Sequence, residues 1–318
     1  MAMYATDLTA IREAAARIAG FVHRTPVLTS ETIDRLAGRA VFFKCENLQK
    51  TGAFKYRGAT NAVQKLDAET AKRGVVTHSS GNHAQALALA ARVRGITAHI
   101  VMPHTATTVK KHAVLGYGGQ VVECEPTLVD RERTANELVA KTGGTLIPPF
   151  DHPDVIAGQG TAALELLEDV PDLDAVISPV GGGGLLSGFC IASRGIKPTI
   201  RVFGAEPLGA DDAARSKVAG SRLLQTAPNS IADGLLTSLG DLTWPIIRDQ
   251  VEAIFTVTEP EIVAAMRLVW ERMKLVIEPS AAVGVAVVLG EEFRRLEDVR
   301  KVGVVLCGGN VTLEKLYW

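Results

Sequence analysis

The sequence lacks most features that mark extracellular, membrane or nucleic-acid-binding proteins. Its four cysteines stand singly, without a CxxC pair or metal-ligand spacing, which indicates free thiols in a reducing compartment. The 34 basic residues are balanced by 35 acidic ones, so no overall field attracts nucleic acid or an anionic membrane. No apolar run approaches the roughly 18 residues that span a bilayer, and residues 1–12 lack a signal-peptide core. We therefore expect a soluble cytoplasmic protein whose partner is a small molecule, with no nucleic-acid or membrane partner.

What is present is an alternation of strand-like and helix-like segments along 318 residues, 47% of them hydrophobic. This pattern predicts an α/β fold of mostly parallel sheets with helices on both faces. No linker rich in Gly, Pro or Ser divides the chain, so two domains would be nested rather than consecutive. The predicted strands are 40–45, 74–78, 97–102, 120–124, 145–147, 175–179, 201–205, 253–257 and 302–306. The predicted helices include 82–94, 108–115, 128–141, 155–167, 262–273 and 280–289.

One lysine lies between a turn and a helix-compatible run, in the motif Lys50-Thr51-Gly52-Ala53-Phe54-Lys55-Tyr56-Arg57-Gly58-Ala59. Burial disfavours the charged ammonium, and a neutral lysine amine can form a Schiff base with an aldehyde cofactor. A surface lysine at a helix start is the commoner outcome for such a residue. Lys55 is therefore a candidate that the rest of the chain has to support.

Two further loops lie between a predicted strand and a predicted helix, where ligands bind in α/β folds. The loop Ser79-Ser80-Gly81-Asn82-His83 offers amide groups suited to a carboxylate, although a plain helix cap is the commoner explanation of such a loop taken alone. The loop Val180-Gly181-Gly182-Gly183-Gly184-Leu185 lets several amides converge on a phosphate, with a flexible turn as the alternative. Because neither GxGxxG spacing nor a following Lys-Ser/Thr pair is present, it predicts neither a dinucleotide site nor a Walker loop.

Two other strand ends carry polar groups. In the loop Glu206-Pro207-Leu208-Gly209-Ala210-Asp211-Asp212, carboxylates and a carbonyl between them could bind Mg²⁺ or Ca²⁺, or the acidic residues could cap the next helix. The loop Cys307-Gly308-Gly309-Asn310 follows the last predicted strand, and Glu278-Pro279-Ser280 precedes a neighbouring helix. Cys307 is either a small buried apolar residue or a group at the ligand site.

Together these motifs, in this order and over essentially the whole chain, resemble the serine/threonine dehydratase and serine racemase family. That family uses pyridoxal phosphate (PLP) on the fold shared with the tryptophan synthase β subunit, known as PLP fold type II. The resemblance implies two nested domains, each a mostly parallel sheet flanked by helices. The large PLP-binding domain would comprise residues 1–70 and 148–318, and the small substrate-closing domain residues 71–147. A homodimer is also implied.

The resemblance assigns a role to each motif. Lys55 would be the Schiff-base lysine and the base that removes the substrate α-proton, and Ser80 the second acid/base on the opposite face. The remaining cofactor-binding residues would be Phe54 beside the ring, Asn82 on the ring hydroxyl, Glu278, and, on the phosphate, Gly181, Gly182, Gly183 and Gly184. The substrate carboxylate would be held by backbone groups of Ser79, Ser80, Gly81, Asn82 and His83.

Two further implications concern the metal and the ring nitrogen. Glu206, the carbonyl of Ala210 and Asp212 match the divalent-cation site of the racemase-like branch, which predicts Mg²⁺, Ca²⁺ or Mn²⁺. Cys307 stands where family members usually place serine or threonine opposite the pyridine nitrogen. A thiol supplies no negative charge to keep that nitrogen protonated, which favours prompt loss of a β-hydroxyl. The departure could also mark a branch with another substrate.

The predicted function is therefore PLP-dependent β-elimination from L-threonine or L-serine, giving a 2-oxo acid and ammonia. A serine racemase or a threo-3-hydroxyaspartate dehydratase shares every motif, and a non-catalytic ligand-binding protein on the same scaffold is a remote alternative. A nucleotide effector site with Lys110, Lys111 and Gln85 is a further hypothesis. Because the sequence stops at Trp318, we expect no regulatory domain of the threonine-deaminase type and no feedback inhibition by isoleucine.

Overall fold

Two separate sheets contain the strands of residues 4–314 and 316–318, the part of the chain that the computed structural model describes. The large sheet has the order β1-β2-β10-β7-β8-β9 and the small sheet β5-β4-β3-β6. Apart from the antiparallel pair β1 and β2, all these pairings are parallel. The strands are β1 (Val27–Leu28), β2 (Ala40–Lys44), β3 (Val75–His78), β4 (Ala98–Pro103), β5 (Gln120–Cys124), β6 (Thr145–Leu146), β7 (Ala175–Pro179), β8 (Arg201–Pro207), β9 (Ala253–Val257) and β10 (Lys301–Val305).

Helices cover both sheets, as the alternating pattern predicts. The helices are α1 (Leu8–Ile18), α2 (Glu31–Ala37), α3 (Lys55–Lys65), α4 (Ala68–Lys72), α5 (Asn82–Arg94), α6 (Thr108–Gly116), α7 (Leu128–Thr142), α8 (Pro153–Asp169), α9 (Gly184–Ile196), α10 (Asp212–Ala219), α11 (Thr243–Gln250), α12 (Glu259–Met273), α13 (Pro279–Leu289) and α14 (Glu291–Arg294). Helix α13 has no polar face and is buried from Pro279 to Val288, because it packs against strands of the large sheet. Within the described ranges no helix combines the length and apolar composition needed to cross a lipid bilayer.

The α/β class predicted from the alternation is confirmed, and the predicted strands 120–124, 175–179 and 253–257 have the observed bounds. The other predicted elements are present, with ends that differ by a few residues. The two-residue strand β1 was missed because it is too short to show a period. Helix α11 was also missed, because no local capping side chain marks its start.

The fold brings the candidate loops to the carboxyl ends of parallel strands. Strand β10 lies between β2 and β7, so the loops that follow these three strands start side by side. They contain the Lys55 motif, the loop at Cys307 and the four glycines. The loop at Ser79 follows β3 of the small sheet, and α5 after it packs against α3. Both sheets therefore contribute to one site.

Candidate active site

The turn before the lysine is docked against the loop that follows β10. Thr51 and Gly52 both have left-handed backbone conformations, with φ of 61° and 71°, and such a φ is an outlier for a β-branched residue. The carbonyl of Thr51 accepts a hydrogen bond from Asn310 Nδ2 at 2.8 Å, and a β-carbon on Gly52 would lie 2.6 Å from Asn310 Oδ1. The amide of Phe54 donates to the carbonyl of Cys307 at 3.0 Å. The surroundings thus hold a strained turn that starts α3 at the lysine.

Lys55 is held by contacts on two sides. Its Nζ donates to the carbonyl of Pro149 at 2.6 Å and lies 5.0 Å from the centroid of the Phe54 ring. Burial lowers the pKa of Lys55 to about 8, against the opposing effects of Cys307 and Glu278. A substantial fraction of this amine is therefore neutral near pH 8, which is the form that attacks an aldehyde and accepts a proton.

Asn82, at the start of α5, is bound by a carboxylate from the large-sheet part of the chain. Its Nδ2 donates to Oε1 and Oε2 of Glu278 at 2.9 and 3.2 Å, and its Oδ1 accepts from Asn310 Nδ2 at 2.9 Å. Glu278 also accepts the amide of Asn310 at 3.1 Å. Burial raises the pKa of Glu278 to about 7. These bonds fix the orientation of the Asn82 amide at the edge of the site.

The loop between β3 and α5 leaves the start of that helix open. Gly81 occupies the capping position, and no side chain caps the amides of α5. Ser79 Oγ accepts the amide of Gly81 at 3.4 Å, and Ser80 is partly exposed. The His83 side chain is buried, with Nε2 2.9 Å from the carbonyl of Ile147, and burial lowers its pKa to about 3. His83 is therefore neutral, and its amide rather than its ring is available to a ligand.

The loop of four glycines is buried and closely packed, unlike an exposed flexible turn. A β-carbon on Gly182 would lie 2.3 Å from the ring of Phe150, and Gly183 has a φ of 87°. Helix α9 begins at Gly184 without a capping side chain. Among the hydrogen bonds of residues 4–314 and 316–318, the amides of the four glycines donate to no oxygen. A cradle of buried, unpartnered amides at a helix start fits a phosphate group.

Cys307 lies at the end of β10, 3% exposed. Burial raises the pKa of this thiol well above its usual value, so the group is uncharged. All four cysteines are buried and free, as the sequence indicated. The thiol therefore offers no negative charge to a group beside it.

The acidic loop after β8 buries two carboxylates without a cationic partner. Glu206 and Asp212 are both 0% exposed, and neither forms an ion pair within the described residues. Glu206 accepts the amides of Ala213 and Ala214 at 3.2 and 2.8 Å, and Asp212 accepts the amide of Leu239 at 3.2 Å. Burial raises the pKa of Glu206 to about 9 and that of Asp212 to about 6. Uncompensated buried carboxylates of this kind fit a hard divalent cation.

No cluster of three or more His, Cys, Asp or Glu side chains with metal-binding geometry occurs in residues 4–314 and 316–318. The predicted site is not a cluster of this kind, because it consists of two such side chains and the carbonyl of Ala210.

The two lysines of the nucleotide hypothesis are engaged elsewhere. Lys110 pairs with Asp233 at 3.2 Å, and Lys111 pairs with Glu123. Both ammonium groups are thus already balanced by carboxylates, so the contacts give this hypothesis no support.

Sequence reasoning missed two groups that support the site. Arg57, 0% exposed, is bound to Glu46 and Glu165 at 2.8 and 2.7 Å and anchors α3 two residues after the lysine. The segment 149–151 contacts both the lysine and the glycine loop. Only the charge of Arg57 inside an apolar helix start could have been noticed in advance, because the segment 149–151 lies far from both motifs in sequence.

Comparison with known proteins shows similarity to one enzyme family over nearly the whole chain. Residues 18–308 match the family model described as pyridoxal-phosphate dependent enzyme. The chain is 53% identical to a serine racemase of Dictyostelium discoideum, covering 99% of this chain and 98% of that protein. It is 49% identical to a β-hydroxyaspartate dehydratase of Paracoccus denitrificans, covering 98% of each. The solved structure of maize serine racemase superposes with a TM-score of 0.97 at 48% identity, covering 99% of this chain and 96% of that one.

These matches confirm the resemblance that the lysine and glycine motifs indicated, and they confirm PLP fold type II. With a buried lysine of lowered pKa and a cradle of free amides in place, the chain belongs to the pyridoxal-phosphate dependent enzyme family.

Proposed function

We propose that the protein acts on a small β-hydroxy amino acid, with L-serine and L-threonine as the first candidates. In this proposal the α-proton is removed and the β-hydroxyl leaves as water. The resulting enamine hydrolyses to a 2-oxo acid and ammonia. The observation that carries the proposal is the amine of Lys55, which is partly neutral near pH 8 and is fixed between Phe54 and Pro149.

The chain offers one group for each part of the cofactor and substrate. Free amides of the four glycines would hold the phosphate, and the open start of α5 would hold the substrate carboxylate. Asn82, oriented by Glu278, would donate to the ring hydroxyl, and Phe54 would lie beside the ring. Pyridoxal phosphate, when bound, withdraws electrons from the substrate α-carbon and so makes the α-proton acidic.

In the proposed reaction Lys55 then moves the protons. Its neutral amine takes the α-proton, and a proton from Ser80 or from the phosphate lets the hydroxyl leave as water. Cys307 would offer the ring nitrogen a neutral contact, because burial raises the pKa of its thiol. Without a negative charge beside the ring nitrogen, negative charge on the substrate α-carbon would be poorly stabilised. This favours prompt loss of the β-hydroxyl.

A second candidate function is racemisation of serine. The relatives at 53% and 48% identity are named serine racemases, and this chain has Ser80 on the loop that starts α5. Racemisation needs a proton donor on the face opposite Lys55, the role proposed for Ser80. Both reactions begin with removal of the same proton, so one site can divide serine between pyruvate and D-serine.

The β-hydroxyaspartate dehydratase relative makes hydroxyaspartate a third candidate substrate. A substrate with a second carboxylate needs a cationic or amide-rich partner for it. Arg57, two residues after Lys55, is already bound to Glu46 and Glu165 and so offers no free cation to that carboxylate. We therefore place serine and threonine ahead of hydroxyaspartate.

Three supporting features belong to the same proposal. Glu206, the Ala210 carbonyl and Asp212 would bind Mg²⁺, Ca²⁺ or Mn²⁺, supported by the burial of both carboxylates without a cation. Residues 71–147 would form a small domain that closes over the substrate, with 1–70 and 148–318 as the large domain. The enzyme would work in the cytoplasm as a homodimer, which sedimentation of the purified protein would test.

A substrate panel tests the proposed function. Purified PLP-loaded protein is incubated with L-serine, D-serine, L-threonine and threo-3-hydroxyaspartate, and 2-oxo acid, ammonia and both enantiomers are measured. We expect pyruvate and ammonia from L-serine in equal amounts, 2-oxobutyrate from L-threonine, and little product from hydroxyaspartate. Turnover confined to hydroxyaspartate would replace this proposal with the dehydratase alternative. A Lys55→Ala variant is the control for reactions that do not use the site.

A further inference from the structure

Three consecutive residues contact three parts of the candidate site. The carbonyl of Pro149 accepts the hydrogen bond from Lys55 at 2.6 Å, and the ring of Phe150 covers Gly182. The carboxylate of Asp151 accepts three backbone amides at 3.0, 2.9 and 3.3 Å, those of Asp241, Leu242 and Thr243. The segment therefore joins the lysine, the glycine loop and the start of α11.

Asp151 accepts hydrogen bonds from backbone amides at the start of α11, about 90 residues away in sequence. The first amides of a helix lack partners within the helix and attract negative charge. Here the Asp151 carboxylate accepts their hydrogen bonds and also provides the negative charge. The fit is tight, because a β-carbon on Gly240 would lie 2.1 Å from Asp151 Oδ1. The carboxylate thus fixes the position of Thr243, the first residue of the helix.

Thr243 in turn holds one peptide group of the glycine loop. Its hydroxyl donates to the carbonyl of Gly182 at 2.8 Å and accepts the amide of Gly240 at 2.9 Å. In a trans peptide the carbonyl of one residue and the amide of the next point in opposite directions, and none of the described peptide bonds is cis. The Gly183 amide therefore points away from Thr243, where it donates to no oxygen of residues 4–314 and 316–318.

Two helices start beside this loop, and they differ in whether their first backbone amides have hydrogen-bond partners. The amides at the start of α11 are occupied by Asp151, whereas α9 begins at Gly184 with no capping side chain. Of these two helix starts, that of α9, with the glycine loop before it, is the one whose amides are free for an external anion among the described residues. If the Gly182 carbonyl lost its hydrogen bond from Thr243, the peptide between Gly182 and Gly183 would be free to rotate. Its carbonyl oxygen, rather than the Gly183 amide, would then face the anion.

We propose that Asp151 is a positioning residue for phosphate binding, acting through Thr243 on the peptide between Gly182 and Gly183. This inference rests on the proposed placement of the cofactor phosphate at the glycine loop. In this proposal Asp151 makes no contact with the phosphate. It determines that the Gly183 amide, and not the Gly182 carbonyl, faces the phosphate.

The test compares two aldehydes that differ only in the phosphate. Dissociation constants of pyridoxal 5′-phosphate and of pyridoxal are measured by absorbance titration of cofactor-free wild type, Asp151→Ala, Thr243→Val and Thr243→Ser. We expect wild type to prefer the phosphorylated form. Asp151→Ala and Thr243→Val should each lose roughly tenfold of that preference, the range for a lost or reversed hydrogen bond to a charged group. Affinity for pyridoxal should be unchanged, and Thr243→Ser, which keeps the hydroxyl, should resemble wild type.

A matched control separates positioning from general destabilisation. Asp7 caps α1 by accepting the amide of Ala10 at 2.8 Å, so Asp7→Ala removes a similar helix-start contact away from the glycine loop. It should lower the melting temperature without changing the preference for phosphate. If Asp151→Ala behaves in the same way, or if Thr243→Val stays within threefold of wild type, the inference is wrong. Should Asp151→Ala fail to fold, Thr243→Val decides alone. A wild type that binds both aldehydes equally would instead refute the placement of the phosphate.

Discussion

Asn82 and Glu278 are 196 positions apart, yet Nδ2 of Asn82 lies 2.9 Å from Oε1 of Glu278 and 3.2 Å from Oε2. The bond joins the start of α5, which follows the small sheet, to the start of α13 beside the large sheet. Lys55 is close enough for the charge of Glu278 to oppose the lowering of its pKa. The orientation of Asn82 is thus set by a buried carboxylate next to the candidate catalytic lysine.

Removing that carboxylate should impair the reaction more than the fold. In Glu278→Ala, Asn82 loses its acceptor, so we expect turnover to fall at least tenfold, about the effect of a hydrogen bond to a charged group. Glu278→Gln should lie between this variant and wild type. Its amide oxygen still accepts from Asn82, whereas its NH₂ group faces the donating amide of Asn310. Steady-state kinetics with L-serine measure the order, and an alanine variant as active as wild type would refute the role of Glu278.

Ser80→Ala should separate the two proposed reactions of serine. The hydroxyl would be lost from the face opposite Lys55, so D-serine formation should stop while part of the pyruvate formation remains. In deuterium oxide, recovered L-serine should still gain deuterium at the α-carbon, because Lys55 exchanges that proton on its own face. Chiral chromatography with mass spectrometry measures both. D-serine formed at the wild-type rate would mean that another group donates the second proton.

The buried acidic site should make stability depend on pH and on divalent cations. Folding raises the pKa of Glu206 from 4.5 to about 9, so in metal-free protein the folded state keeps a proton that the unfolded state has lost. Raising the pH across this window therefore favours unfolding, by at most about 1.4 kcal/mol per pH unit for one group. Glu278 and Asp212 titrate near 7 and 6, and Lys55, with a pKa lowered to about 8, contributes with the opposite sign in the same window, so the Glu206 contribution has to be taken from a variant that lacks this carboxylate.

The comparison that measures this effect is the difference between wild type and Glu206→Gln. After chelation, wild-type stability should fall relative to the variant between pH 7 and 9. Added Mg²⁺ should raise the melting temperature of wild type and leave the variant unchanged, since a ligand stabilises the state that binds it. Equal responses of the two proteins to pH and to Mg²⁺ would argue against a cation at Glu206.

Arg57 should be one of the most sensitive positions for stability. Arg57→Met leaves the buried Glu46 without a cationic partner, whereas Glu165 keeps its ion pair with Lys44, and an uncompensated buried charge costs about 3–5 kcal/mol. Arg57→Lys keeps the charge but cannot bind both carboxylates through a planar fork, so an intermediate loss is expected. Arg295→Met, which breaks an exposed pair with Glu291, is the control and should change the free energy of unfolding by less than about 1 kcal/mol. Urea unfolding measures the loss in free energy of unfolding for each variant. A loss for Arg57→Met as small as that for Arg295→Met would contradict the prediction.

The sequence predicts those parts of the site whose signal is local. The loops at Lys55, Ser79 and Gly181 could be found because short apolar runs end in small or polar residues where strands meet helices. The contacts of Asp151 with α11 and of Arg57 with Glu165 could not. They join residues 92 and 108 positions apart, which no local period encodes. Helix α11 was missed for the same reason, because a distant carboxylate rather than a local cap satisfies its first amides.

The central claim is that Lys55 forms the covalent bond to pyridoxal phosphate, and reductive labelling tests it most directly. Borohydride adds hydride to the carbon–nitrogen double bond between cofactor and lysine, giving a stable secondary amine that survives proteolysis. We predict one modified site, on the peptide that contains Lys55, and loss of both the label and the cofactor absorbance band in Lys55→Ala. A label on another lysine, or a Lys55→Ala variant that keeps both the absorbance band and turnover, would contradict the account.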